Sequence, residues 1–197
     1  MSNTTKHFNV RYMTMTAMLS AVAFVLMFLD FNVPFMPSFI SMDFSELPAL
    51  IGSFAMGPWY GVVICFVKNL LHLLMTSTGG VGELSNFILG TAFVLPAGLL
   101  YGHKKSKKNA MIGSILGAAF MAVLGVASNY FVVYPVYTAF MPMDTIIAMY
   151  QAICPSVDTL LECLVIFNMP FTFLKGMCSV GITFLIYKHI SPIIKGI

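Results

Sequence analysis

Two lysines lie deep inside apolar stretches of the sequence, where a charged side chain needs a partner or a ligand. Lys68 lies in the apolar run of residues 57–75, and Lys175 lies in that of residues 164–187. A charge at the centre of a bilayer costs roughly 3 kcal/mol on insertion scales, so such residues face a bundle interior or a cavity. Because other polar residues accompany both lysines, the sequence predicts a polar pocket inside the membrane.

Both lysines have polar neighbours at helical spacing. Lys68 and His72 are four residues apart and share a helix face, with Asn69 beside them. Pro170 interrupts the second run and leaves a carbonyl of the preceding turn free to accept a hydrogen bond. The stripe around it consists of Asn168, Thr172 and Lys175. Such donors and acceptors suit a planar heterocycle, although a structural hydrogen-bond network between helices would use the same groups.

Further polar candidates lie near predicted helix ends, beside two apolar loops. Residues 31–45 and 134–142 are rich in aromatic residues and proline. This composition predicts either packing on the membrane surface or a hydrophobic lid whose rings stack on a flat ligand. Asp43 and Glu83 equally suit helix N-termini, and Tyr130 suits an interfacial aromatic belt. The additional candidates are Asp43, Glu83, Asn86, Asn129 and Tyr130.

The composition is that of a membrane protein. Hydrophobic residues make up 59% of the 197 residues and charged residues 9%, whereas soluble domains contain about 25% charged residues. The apolar runs predict an all-α fold with six transmembrane helices in one compact bundle, and a single domain over residues 1–197. The second helix is short for a bilayer span, and the loop after the fifth is predicted to contain a helix near residues 145–152. The six helices are predicted at residues 11–29, 46–56, 59–75, 84–101, 110–133 and 161–190.

The charged residues are sorted across this arrangement. All seven acids fall on one side, whereas Lys6, Arg11, the lysine cluster of residues 104–108 and Lys188 fall on the other. Because positively charged loops stay in the cytoplasm, both termini are predicted to be cytoplasmic. Five or seven helices would scramble this sorting, which supports counting the short second helix. The acids are Asp30, Asp43, Glu46, Glu83, Asp144, Asp158 and Glu162.

The first helix carries a face of small residues, and the sequence lacks the motifs of a motor or an enzyme. Ala17 and Ala21 are four residues apart, which lets another helix approach closely. Gly113 and Gly117 form a similar pair, and either pair can serve internal packing alone. The sequence contains no phosphate-binding glycine–lysine loop, zinc-protease motif or serine nucleophile elbow. The four cysteines have no metal-ligand spacing and are interpreted as apolar core residues, while a disulfide between Cys154 and Cys163 is left open. They are Cys65, Cys154, Cys163 and Cys178.

These residues together resemble a known family, the S components of energy-coupling-factor (ECF) transporters, and in particular the riboflavin-binding type. The resemblance covers nearly the whole chain, but Thr172 stands where it leads us to expect asparagine. It rests on Ala17-x-x-x-Ala21, Gly57-Pro58-x-x-Gly61, Lys68-Asn69-x-x-His72, Glu83-x-x-Asn86-Phe87 and Asn168-x-Pro170-Phe171-x-x-x-Lys175.

The resemblance implies a multi-pass protein of a prokaryotic plasma membrane that captures riboflavin outside the cell. It implies docking through Ala17 and Ala21 onto a transmembrane T protein driven by two ATPases. Riboflavin is then the transported substrate, no cofactor is expected, and FMN remains a further candidate ligand. The substrate-binding residues predicted on these grounds are Asp43, Lys68, Asn69, His72, Glu83, Asn86, Asn129, Tyr130, Asn168, Phe171, Thr172 and Lys175.

Two alternatives remain open at the level of the sequence. The first is an S component for another vitamin, such as thiamin or pantothenate, because two lysines suit an anionic ligand. The second is an intramembrane enzyme that modifies a lipid or prenyl group with Lys68, His72 and Glu83 as acid–base residues. The sequence has no acidic metal-binding motif of the kind such an enzyme would use.

Overall fold

The computed structural model is helical over most of its length and describes residues 10–37, 40–76, 79–139 and 141–195. Lys6 and parts of the two apolar loops, residues 38–39 and 140, lie outside the described residues. Two short strands, β1 Phe31–Asn32 and β2 Ser41–Met42, pair antiparallel between the first two helices. The helices are α1 Val10–Met27, α2 Glu46–Met56, α3 Pro58–His72, α4 Val81–His103, α5 Lys107–Ser128, α6 Tyr134–Tyr137, α7 Met143–Gln151, α8 Leu160–Cys163 and α9 Met169–Lys195.

The helices include five segments that are long and apolar enough to cross a membrane, and α2 is a shorter apolar helix of 11 residues. Each of the six predicted apolar helices is therefore present, while a bilayer crossing by all six stays a prediction. The helix predicted near residues 145–152 is also present, as α7. The five segments are Val10–Met27, Pro58–Met75, Val81–His103, Lys107–Tyr137 and Leu160–Ile194.

Each of the last two segments contains a π-helical turn shortly before a proline. Asn129–Val133 joins α5 to α6 ahead of Pro135, and Leu164–Asn168 joins α8 to α9 ahead of Pro170. The fifth helix was predicted to end at residue 133, whereas the segment continues to Tyr137. The wider turn shifts the hydrogen-bond register, so that the missing amide of proline does not end the helix.

Helix α2 is the buried centre of the bundle, which explains why a helix too short for an upright span is stable. Its residues from Glu46 to Ala55 are all buried, against α1, α3, α4 and α9. Gly57 ends it with a φ of 125°, a conformation that favours glycine. Pro58 then begins α3, where its missing amide needs no partner.

The two pairs of small residues have different positions in the bundle. A Cβ atom on Gly117 would lie 2.2 Å from the carbonyl oxygen of Phe93, so this glycine allows α4 and α5 to approach closely. The glycine pair of α5 therefore serves internal packing. Ala17 and Ala21 instead lie on the exposed face of α1. The cysteines, including the pair for which a disulfide was left open, are all free.

Replacing Gly117 by alanine is expected to lower the melting temperature of the purified protein. Forcing extra volume into a packed interior costs about 1–3 kcal/mol. Gly181→Ala in α9 is the matched control, because its Cβ would meet no described atom within 4 Å. Alanine stabilises an unobstructed helix position by about 0.5–1 kcal/mol relative to glycine, so this variant should be as stable as the parent or more so. Equal melting temperatures for the two variants would contradict the close α4–α5 contact.

Candidate functional site

The two intramembrane lysines converge on one carboxylate at the start of α2. Lys68 of α3 donates a hydrogen bond to Glu46, with Nζ 3.1 Å from Oε1. Lys175 of α9 approaches the other oxygen of Glu46, with Nζ 3.5 Å from Oε2. Lys175 also donates to Asp43, with 2.7 Å between Nζ and Oδ2. Two cations and two anions therefore form a buried, charge-balanced network.

Charge balance explains how two lysines can stay inside an apolar bundle. A buried ion without a partner costs several kcal/mol, and a partner with further hydrogen bonds offsets that cost. Lys68 has a second acceptor in the hydroxyl of Ser45. The remaining oxygen of Asp43, Oδ1, accepts from the backbone amide of Ser45 at 2.8 Å. Asp43 therefore combines a hydrogen bond within the connection before α2 with the ion pair to Lys175.

The carboxylate of Asp43 lies in the connection before α2, and its charge depends on the two lysines. Burial alone would raise the pKa of Asp43. The nearby ammonium groups of Lys175 and Lys68 outweigh that effect, and hydrogen bonds from Lys175 and Ser45 add to it. The pKa therefore lies below its usual range, and Asp43 is an anion.

A cavity of about 250 Å³ opens beside this network, between α4, α5, α9 and the strand connection before α2. An adjoining cavity of about 200 Å³ shares most of its lining with the first, including Lys175, and is also lined by Glu46. The connection before α2 and helix α6 both line the first cavity, so it lies at the acidic end of the bundle. The first cavity is lined by Ile40, Ser41, Asp43, Asn86, Leu89, Met121, Asn129, Val133, Tyr134, Tyr137, Asn168, Phe171, Thr172 and Lys175.

The cavity presents a buried acceptor that the described part of the chain does not satisfy. Oδ1 of Asn86 is buried and has no hydrogen-bond partner among the described residues, and Oε2 of Glu46 has only the ammonium of Lys175, at 3.5 Å, beside it. Buried polar atoms are normally paired, so such an atom at a cavity indicates a missing donor. The aromatic part of the cavity wall consists of Tyr134, Tyr137 and Phe171. The arrangement suits a flat ligand whose polar edge donates and accepts hydrogen bonds.

A closed network of three side chains holds one wall of the cavity. The hydroxyl of Tyr150 in α7 donates to Oδ1 of Asn168 at 2.7 Å, and Nδ2 of Asn168 donates to the hydroxyl of Tyr134 at 3.2 Å. The two tyrosine hydroxyls also bond to each other. Asn168 therefore positions Tyr134 and links α7 to the wall of the cavity, in addition to lining it.

A family model described as "ECF transporter, substrate-specific component" matches residues 11–187, a range that includes every residue of the cavity. The chain belongs to this family. It is similar to the riboflavin transporter RibU of Staphylococcus aureus, with 33% identity over 96% of this chain and 94% of that protein. The riboflavin transporter FmnP of Bacillus subtilis is also 33% identical, over 94% of this chain and 95% of that protein.

The same relationship holds in three dimensions. A solved structure of the S component of a bacterial ECF transporter superposes with a TM-score of 0.75 and 31% sequence identity. The superposition covers 95% of this chain and 99% of that chain. Together with the five apolar spans, it describes a multi-pass bacterial membrane protein with the S-component fold. Because the family consists of transporter components, the alternative of an intramembrane enzyme is excluded.

The S component brings most of the predicted binding residues to one cavity. Those that line it come from the connection before α2, from α4, from the π-helical turns and from α9. Asn129, predicted at the end of the fifth helix, and Asn168, predicted within the sixth, both lie in π-helical turns. For each of these residues a contact with the ligand stays a prediction. The set is Asp43, Asn86, Asn129, Asn168, Phe171, Thr172 and Lys175.

Five other predicted residues do not line the cavity. Lys68 lies behind it, within the ion network, and Asn69 donates to the backbone oxygen of Cys65 at 2.8 Å. His72 pairs instead with Glu83, with 2.8 Å between Nδ1 and Oε1. Tyr130 is exposed and packs its ring on Phe131. The contacts of these residues are structural, and their role in ligand binding also stays a prediction.

The prediction of site residues omitted Glu46, which both lysines contact. The signal was present in the sequence, because two intramembrane lysines require acids, and Asp43 and Glu46 are the two acids near the start of the buried helix α2. Tyr134 and Tyr137 were expected only as part of an aromatic lid, whereas both line the cavity. No pattern in the sequence distinguishes these two tyrosines from the other loop aromatics.

Proposed function

We propose that this S component binds riboflavin with high affinity in the cavity between α4, α5 and α9. It captures the vitamin outside the cell and delivers it inward together with a T protein and two ATPases. The observation that carries this proposal is the aromatic cavity with the unsatisfied buried acceptor of Asn86 and the ammonium group of Lys175 in its wall. The names of the two similar transporters support riboflavin over thiamin or pantothenate.

The chemistry of riboflavin matches the groups around the cavity. Its tricyclic ring is flat and apolar, so it can stack on Tyr134, Tyr137 or Phe171. Its uracil-like edge has both a donor and acceptors, which suit Asn86 and Lys175. The hydroxyls of its ribityl chain are further donors for buried carboxylate and amide oxygens. The ligand would then supply the hydrogen bonds that the described chain leaves open.

The proposed topology has six transmembrane helices, with both termini in the cytoplasm, and one substrate-binding domain over residues 1–197. The sorting of charge supports it, because Lys105 and Lys107 lie at the end of α4 remote from the cavity. With this end in the cytoplasm by the positive-inside rule, the cavity faces the outside of the plasma membrane. Ala17 and Ala21 provide the exposed small-residue face for the T protein.

Riboflavin binding is tested by titrating the vitamin with the purified apo-protein and recording flavin fluorescence. Stacking on the cavity aromatics should quench the fluorescence, and bound flavin should give yellow protein. Thiamin and pantothenate should fail to displace riboflavin, and FMN is titrated in parallel to compare the two flavins. Unchanged fluorescence at micromolar protein, together with binding of thiamin or pantothenate, would refute the proposal.

Asn86→Leu is expected to weaken riboflavin binding about five- to hundredfold, because a buried donor on the ligand loses its partner at a cost of about 1–3 kcal/mol. Asn69→Leu is the comparison variant, because Asn69 was also predicted to bind the ligand but lies on α3, outside the lining of the cavity. Its affinity should stay within about twofold of the parent, because no hydrogen bond to the ligand is removed. The opposite order of affinities would move the site to the α3 side of the bundle.

A further inference from the structure

A cavity of about 360 Å³ lies at the other end of the bundle, between the α4–α5 connection and the last turns of α9. It shares no lining residue with the polar cavity described above. Its floor is aromatic, since the ring of Phe54 lies 5.0 Å from that of Tyr101 and 6.5 Å from that of Phe184. The interior of this 360 Å³ cavity is therefore suited to an apolar group.

The rim of this cavity is cationic. Lys105, Lys107 and Lys188 line it with exposed side chains, and none of its described lining residues is acidic. Lys107 also begins α5, a helix of 22 residues capped by Ser106. The amides of the first turn of a helix lack partners within the helix, so they favour an anion there. Three lysines and a helix N-terminus thus point to a negatively charged group at the rim.

A buried hydroxyl in the wall independently indicates a ligand. Thr183 is 1% exposed and lines the cavity, yet its Oγ1 has no hydrogen-bond partner in the described part of the chain. A threonine in a helix can usually donate to the carbonyl four residues earlier, so an unpaired hydroxyl is costly and uncommon. A polar group of a ligand inside the cavity would satisfy it.

We propose that this cavity binds an acidic phospholipid. The phosphate lies at the lysine rim and the N-terminus of α5, the ester region reaches Thr183, and the upper part of an acyl chain covers the aromatic floor. An amphiphile fits because the cavity is charged at its rim and apolar at its base, whereas a soluble phosphate would leave the floor exposed. Basic pockets between transmembrane helices at the headgroup level bind anionic lipids by the same physics.

The test is native mass spectrometry of the detergent-solubilised full chain with dioleoylphosphatidylglycerol, and with dioleoylphosphatidylcholine as the neutral lipid. The parent should retain phosphatidylglycerol preferentially. Lys105→Gln/Lys107→Gln should weaken its retention about tenfold or more, because each lysine near an anionic headgroup contributes about fivefold. Lys104→Gln/Lys108→Gln is the matched control, with the same loss of charge in the same connection but outside the cavity lining. This control should stay within about twofold of the parent.

Two further measurements separate a lipid from other anions. Thr183→Val, which keeps the side-chain volume, should also reduce retention of phosphatidylglycerol, whereas glycerol 3-phosphate should not compete with the lipid. Equal losses in the two lysine pairs would overturn the proposal, because they would indicate general attraction to positive charge. Effective competition by glycerol 3-phosphate would overturn the lipid assignment. Protection of Lys105 and Lys107 from acetylation by an added T protein, without lipid retention, would assign the cavity to a protein interface instead.

Discussion

Replacing Ala17 or Ala21 by tryptophan is expected to abolish riboflavin uptake by cells while leaving riboflavin binding to the purified S component within a fewfold of normal. Both alanines lie on the exposed face of α1. Close approach of a second helix needs small side chains at such positions, and an indole ring keeps the backbones apart. Neither alanine lines the ligand cavity, so binding and transport should separate.

Two controls distinguish a lost docking contact from general damage. Leu116→Trp adds the same ring at an exposed position of α5, which packs on α4 and α9. Uptake by this variant should persist. Vesicles with the S component alone should not accumulate the vitamin, whereas addition of the T protein and both ATPases should restore ATP-dependent uptake. Concentrative uptake by the S component alone would contradict the partnership, and loss of binding in both alanine variants would place α1 in the pocket or the core.

Replacing Glu46 by glutamine is expected to destabilise the protein by about 3–5 kcal/mol, because it breaks buried ion pairs by removing one partner. Lys68 and Lys175 both contact this carboxylate. The substitution keeps the size of the side chain but leaves the buried network with one excess positive charge. Thermal unfolding in detergent, followed by tryptophan or circular-dichroism signals, measures the loss. Asp30→Asn, at an exposed acid, should change stability little.

The double variant Glu46→Gln/Lys68→Met tests whether charge balance is the cause. Removing Lys68 together with Glu46 leaves Lys175 paired with Asp43, so the remaining network is again neutral. The double variant should therefore be more stable than Glu46→Gln alone, and the non-additivity is read from a double-mutant cycle. Additive losses would show that Glu46 and Lys68 act independently, against the geometry of the network.

Local sequence patterns predicted the helices and the residues that need special environments. Apolar runs of membrane length identified five of the six apolar helices, since a long run of apolar residues has few alternatives to a helix in a bilayer, and the sorting of charge supported the short second helix. Lys68 and Lys175 could be singled out because a charge inside such a run is costly wherever the helix lies. Ala17 and Ala21 were identified by spacing, and their exposure agrees with a docking face.

Only the tertiary structure decided which polar residues face the same space. Helical spacing orders residues along one helix, but the rotation of each helix depends on packing against its neighbours. Lys68 consequently lies behind the cavity and Lys175 at its edge, although both fit the same sequence pattern. Spacing also did not distinguish the exposed alanine pair of α1 from Gly117, which α4 covers. The π-helical turns before Pro135 and Pro170 were likewise not predicted, since a proline in the sequence indicates only a free carbonyl or a break in the helix and not a wider turn before it.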